Sequence, residues 1–245
     1  MVNLDNPVKW MLGALKWTEL TLFPPTCVLC ADPGQSMRLD LCAGCAGDLP
    51  LNECACPQCG EPLPASAAAK RCGECLRRPP RFQVAHCAYR YDFPVDHLVR
   101  GLKYSGRMPY ARVLGDLLAQ QLRRRTTTAP QCIVPVPLAE QRFRERGFNQ
   151  AIEIGRELES KLAIPLRCDV VARIRDTREQ AGLDRKGRRK NVRNAFKVLR
   201  PLDLQRIAIL DDVVTTGSTV NELARVLRKA GAEHIEVWAV ARAGK

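Results

Sequence analysis

Four Cys-x-x-Cys pairs, Cys27/Cys30, Cys42/Cys45, Cys56/Cys59 and Cys72/Cys75, crowd the first third of this chain. Two residues between cysteines let both thiolates of a tight turn converge on one ion. Two such turns complete a tetrahedral shell of bonds about 2.3 Å long. The gaps between pairs nearly repeat, with eleven residues after Cys30 and twelve after Cys59. A duplicated four-cysteine unit follows, with sequential pairing preferred and cross-braced pairing of the first and third pairs left open. Cys54, just before Cys56, is an alternative ligand. Gly44, Gly60 and Gly73 suit backbone that curls toward a metal. The intervening stretches are too polar and proline-rich to bury a core of their own, so about two zinc ions are expected to supply that stability. Their role is structural, because four thiolates leave no open position for catalysis.

A disulfide framework is the competing explanation, and it needs an oxidising compartment. Lys9, Lys16 and Glu19 interrupt any signal-peptide core in the opening MVNLDNPVKWMLGALKWTELTLF. That stretch has helical spacing, and an amphipathic helix packed on its own domain is preferred to one lying on a membrane surface. No run approaches the roughly 18 apolar residues of a membrane span. The chain is therefore expected to be cytoplasmic, reaching the inner face of the membrane only through partners. Cys87, Cys132 and Cys168 lie in apolar, strand-like contexts and are expected to be buried core thiols.

Charge and cysteine content change together along the chain. Residues 1–85 hold eight Lys or Arg against eight Asp or Glu, so all of the +13 net charge lies beyond them. Ten of the twelve cysteines fall between Cys27 and Cys87. This break is read as a domain boundary, with an N-terminal helix and tandem zinc-binding head over 1–85 and a basic domain over 86–245. At 245 residues and 46% hydrophobic content the chain can bury a sizeable core. Its 5% aromatic content furnishes poorly a surface built on stacked bases.

From residue 84 onward, short apolar runs alternate with amphipathic stretches. VAHCAYRY, QCIVPVPL, LRCDVVARI, RIAILDD and HIEVWAVAR read as strands, with helical segments between them. That alternation implies an α/β domain with a parallel sheet flanked by helices. Ligands of such sheets bind beyond the carboxyl ends of the strands, which puts Pro135–Pro137 and Asp211–Thr219 on one edge. Asp211 and Asp212 stand where a buried strand emerges, and their side chains should face different ways. Thr215, Thr216, Gly217, Ser218 and Thr219 then turn into a helix, whose free N–H groups and positive end cradle a phosphate. Carboxylates accept bonds from sugar hydroxyls or hold Mg²⁺. Together they are what a phosphorylated ribose requires. The segment is neither a P-loop nor a dinucleotide fingerprint.

IAILDDVVTTGST resembles the phosphoribosyl-pyrophosphate motif of type I phosphoribosyltransferases. With LKYSGR at 102–107, PVPLAEQRFRERGFNQA at 135–151, TREQAGLDRKGRRKNVRNAF at 177–196 and the cysteine-rich head, the chain resembles the ComF family of competence-associated proteins over nearly its whole length. The resemblance implies a type I phosphoribosyltransferase-like domain behind a zinc-binding head, and a link to natural competence and DNA uptake. It implies a phosphoribosyltransferase of unassigned acceptor. Asp211 and Asp212 would then address the ribose hydroxyls, with Mg²⁺ bridging to pyrophosphate. Val213 and Val214 would belong to the same phosphoribosyl-pyrophosphate site, and Thr215–Thr219 would take the 5′-phosphate. From placement and charge, the turn at Pro135 and Val136 would meet the pyrophosphate beside Lys103 and Arg146.

Arg173–Arg200 carries eleven Lys or Arg against three Asp or Glu. It reads as a lid over a polyanion, as a solvated basic helix, or as a contact for single-stranded DNA through Arg185, Lys186, Arg188, Arg189, Lys190 and Arg193. The last option defines the alternative function, a non-catalytic competence protein that binds incoming single strands and docks competence-machinery proteins through its zinc head. His86, His97 and His234 are read as structural. No nucleophile constellation is present, and ribosyl transfer needs none, because positioned charge can stabilise a cationic sugar.

Overall fold

The computed structural model describes residues 26–34, 39–67, 70–125, 128–175, 187, 191–200, 203 and 205–244. The helix expected near the N-terminus lies outside them, as do Arg185, Lys186, Arg188, Arg189 and Lys190. The chain divides into two compact units, Met1–Asp48 and Leu49–Lys245. The first four-cysteine set belongs to the smaller unit and the second set to the larger.

The smaller unit closes a turn with an antiparallel bridge between Thr26 and Pro33, and carries helix α1, Ala43–Gly47. In the larger unit the equivalent bridge joins Ala55 to Pro62, and helix α2 spans Gly73–Arg77. Then follow β1 (Val84–Arg90), α3 (Val95–Ser105), α4 (Pro109–Arg125), β2 (Cys132–Pro135), α5 (Glu140–Arg146), α6 (Gln150–Leu162), β3 (Val171–Arg173), β4 (Phe196–Val198), β5 (Arg206–Val214), α7 (Ser218–Lys229) and β6 (His234–Arg242).

Four strands form one sheet in the order β1-β6-β5-β2, every pair parallel. The central strands read as continuous apolar runs because both faces are covered. Side chains alternate across β5. Ile207 and Ile209 join the buried cluster of Leu223 and Leu227 from α7. On the other face Gly155 of α6 lies so close to Leu210 that a Cβ there would stand 3.2 Å from its side chain. This is the expected α/β sheet flanked by helices. Among the described residues, no helix is long and apolar enough to cross a membrane.

Three local expectations need correction. LRCDVVARI contributes only β3, which pairs antiparallel with β4 in a separate two-stranded sheet. Its link to the main sheet is a single bridge from Leu166 to Ile133. Cys168, placed by its apolar neighbours in a core, is exposed for that reason, whereas Cys87 and Cys132 are buried. The strand read as QCIVPVPL stops at Pro135, because a second proline two residues on cannot donate to a ladder. Conversely, β5 runs through both acids to Val214, where its register still pairs with Arg242.

Candidate functional site

Each four-cysteine set brings its sulfurs together: Cys27, Cys30, Cys42 and Cys45 in one, Cys56, Cys59, Cys72 and Cys75 in the other, all within 4.8 Å of one another in each set. The pairing is therefore sequential. Cys54 joins neither set. Sulfur separations of 3.5 Å for Cys30–Cys42 and 3.6 Å for Cys59–Cys72 lie near the edge of a tetrahedron with bonds of about 2.3 Å. The donor set thus fits zinc.

The two units repeat their backbone too. The Cys27 N–H donates to the Asp32 carbonyl at 2.7 Å, and the Cys56 N–H to that of Glu61 at 2.8 Å. Both knuckles close through a left-handed residue, Ala31 at φ 65° and Gly60 at φ 69°. Burial pushes the Cys56 thiol up, but N–H donors from Cys72, Cys59 and Gln58 outweigh it and hold it at about 7. The same balance holds Cys27 at about 6. Each set thus begins with one thiol readily ionised for a cation.

At the carboxyl edge of the sheet, Asp212 is buried and its carboxylate lies 2.5 Å from the Lys103 ammonium of α3. Burial alone would pull Lys103 down, but Asp212 and Asp211 outweigh it and hold it above its ordinary value. Asp211 is half-buried on the other face of the strand, and its Oδ1 accepts the Asp212 N–H at 3.0 Å. Burial and the neighbouring Asp212 carboxylate push Asp211 up to about 8, against a smaller opposing pull from Lys103. The loop then turns at Gly217, φ 73°, into α7, and the Thr216 and Ser218 hydroxyls lie 2.9 Å apart.

Most expected site residues gather in two small cavities. One, of about 190 Å³, is lined by Lys103, Val136, Arg146, Asp211, Asp212 and Thr219 among others. The second, of about 210 Å³, takes Lys103, Val213, Thr215, Gly217, Ser218 and Thr219. The two share Lys103 and Thr219. Pro135 is buried in the ladder opposite Leu210 and lines neither. Val214 and Thr216 face a third cavity, of about 570 Å³, which also receives Arg193.

The same geometry brings in residues to which the sequence attached no role. Asn149 caps α6 by accepting the Ala151 N–H at 2.9 Å, and donates to the Val136 carbonyl at 3.0 Å, fixing the turn after β2. Gln150 is 3% exposed and lines the 190 Å³ cavity, yet its Nε2 has no partner among the described residues. Tyr104, 73% exposed, stacks beneath the Arg146 guanidinium at the same cavity. Asn149 and Gln150 fall within the RGFNQ stretch, so their position was in view but not their task.

Residues 20–76 match the double zinc ribbon domain. The chain is 37% identical to DNA utilization protein YhgH of Salmonella typhimurium over 223 residues, 89% of this chain and 97% of the relative. It is 34% identical to competence protein F of Haemophilus influenzae over 231 residues, 91% of this chain and all of the relative. Among solved structures it is similar to a purine phosphoribosyltransferase from Pyrococcus horikoshii, with 19% identity, a TM-score of 0.32, and coverage of 56% of this chain and 84% of that one. On near full-length identity and the paired ribbons, the chain belongs to the ComF family, that of competence protein F and DNA utilization protein YhgH.

Proposed function

We propose that the chain binds phosphoribosyl pyrophosphate and transfers its phosphoribosyl group to an acceptor in the use or uptake of DNA. The observation that carries this reading is the joining of an acid pair, a hydroxyl-rich helix-entry loop and the cations Lys103, Arg142, Arg146 and Arg173 around adjoining cavities of about 190 and 210 Å³. In this reading the 5′-phosphate takes the cavity bounded by Thr215, Gly217, Ser218 and Thr219, where the backbone of the helix entry and the α7 dipole meet it. The ribose hydroxyls donate to Asp211 and Asp212. Pyrophosphate lies toward Arg146, and its oxygens supply the acceptor that the buried Gln150 amide lacks among the described residues.

Transfer breaks the bond between ribose C1 and the pyrophosphate oxygen, which keeps the electron pair, and forms a bond from the acceptor to C1. The Asp212 carboxylate, joined by Asp211 once it gives up its proton, steadies the positive charge that develops on the sugar. Mg²⁺ carried by the pyrophosphate would neutralise the leaving group, within reach of the same carboxylates. The names of the relatives support the DNA context. The basic stretch, with Arg193, supports single-stranded DNA as a further partner.

Calorimetry with phosphoribosyl pyrophosphate, with and without Mg²⁺, tests the reading on wild type and Asp212→Asn. Mg²⁺-dependent binding by the wild type, weakened at least about tenfold in the variant, is expected. Equal binding by both proteins sinks it.

A further inference from the structure

Arg242, at the end of β6, is 2% exposed and carries its positive charge inside the larger unit. Its guanidinium joins two places distant in sequence. Toward the second ribbon, Nη2 meets Glu61 Oε2 at 2.5 Å and Nε donates to the Cys59 carbonyl at 3.2 Å. Toward the loop, Nη1 donates to the Val214 carbonyl at 2.8 Å and to the Thr215 carbonyl. The fork of one side chain thus spans a metal knuckle and the first residues of the hydroxyl-rich loop.

Glu61 is held by the knuckle itself. Its carbonyl accepts the Cys56 N–H at 2.8 Å, and the Gly60 N–H donates to the Cys56 carbonyl at 2.9 Å. A metal bound by Cys56 and Cys59 fixes the turn whose next residues are Gly60 and Glu61. Without that constraint, nothing covalent fixes where the Glu61 carboxylate points. A buried guanidinium that loses its carboxylate partner is strongly penalised, and Arg242 must then move or draw in water. Either response disturbs the two loop carbonyls it holds.

We infer that Glu61 and Arg242 form a positioning strut through which metal occupancy of the second ribbon sets the geometry of the 215–219 loop. Its consequence for ligand rests on the phosphate-binding reading of that loop. Zinc loss by chelation, or oxidation of this set, would then weaken phosphate-ligand binding without touching the acid pair. The coupling is reciprocal, so ligand in the loop slows zinc release from this ribbon.

The test is hydrogen exchange followed by mass spectrometry on the full chain: wild type, wild type stripped by chelator, Glu61→Gln, and Glu61→Asp, which keeps the charge but shortens the reach. Zinc content and phosphoribosyl pyrophosphate binding are measured on the same samples. Amides of 214–219 should exchange about tenfold faster or more in the stripped protein and in Glu61→Gln, with those of α6 unchanged and zinc retained by the variant. Glu61→Asp, should Glu61→Gln fail to fold, is expected to shift the same peptide with zinc in place. Uniform exchange of 214–219 across all four samples overturns the strut. Faster exchange in the stripped protein and in Glu61→Gln, beside a zinc-loaded wild type that binds no phosphoribosyl pyrophosphate, leaves the strut standing and overturns the functional reading instead.

Discussion

The Lys103 ammonium and the Asp212 carboxylate face each other at 2.5 Å, both largely withdrawn from water. The lysine expected at the pyrophosphate is thus engaged by the acid expected at the ribose. Removing one member leaves the other charge buried and alone, at a cost of about 3–5 kcal/mol, whereas replacing both is milder. Urea unfolding of zinc-loaded protein should therefore show Asp212→Asn and Lys103→Met each markedly destabilised. Lys103→Met/Asp212→Asn should be less so, giving a coupling of about 2 kcal/mol. Additive losses would show that the pair does not act as a unit.

Asp211 makes the ligand-free protein sensitive to pH in an unusual direction. Its folded-state pKa, pushed up to about 8, lies above the value of 3.8 from which burial and Asp212 raise it. Between those values the folded state binds the proton that the unfolded chain releases, so stability falls as pH rises from about 4 to 8 and is level above. Asp211→Asn keeps the oxygen that accepts the Asp212 N–H and removes the titration. The variant should match wild type near pH 4 and exceed it by several kcal/mol at pH 8.5, with a clearly higher melting temperature there. Parallel stability curves at both pH values would refute this.

The sheet and the site were legible in different degrees. The Ile207–Leu210 and Ile235–Ala241 runs announce buried central strands because both faces of a parallel sheet are apolar. The short run Val170–Ala172 has the same composition, but nothing local says which strand it will meet, so its antiparallel partner Phe196–Val198 went unread among the charges around it. The cysteine spacing carried the metal sets because chelation is decided within a few residues. The sequential pairing was preferred from the near-repeat of the gaps, and the sulfur positions exclude the cross-braced one. Contacts between distant residues had no local signature at all. Glu61 meets Arg242 across 181 residues, and neither sits in a stretch whose pattern demands a partner.

Zinc stoichiometry follows from the two closed sets. Elemental analysis of protein purified without chelator should give about two zinc ions per chain, falling to about one in Cys75→Ser. Cys54→Ser should still hold both, because Cys54 lies outside each set. A value of one in Cys54→Ser would reinstate it as a ligand.

The two knuckles differ at one telling position, since Ala31 and Gly60 both adopt left-handed backbone, at φ 65° and 69°. A residue with a Cβ is strained there by about 1 kcal/mol or more. Ala31→Gly relieves that strain at the price of a looser unfolded chain. It should slow zinc release to a colorimetric chelator from the first set by a few-fold. Gly60→Ala meets a second obstacle, because its Cβ would fall 2.7 Å from the buried Cys87 sulfur and 3.2 Å from its Cβ. Strand β1 holds Cys87 in place, so the knuckle has to give way. About 2 kcal/mol of stability should be lost, with zinc leaving the second set faster while the first is unaffected. If both exchanges altered release equally, the shared backbone conformation alone would decide, and the Cys87 contact would carry no weight.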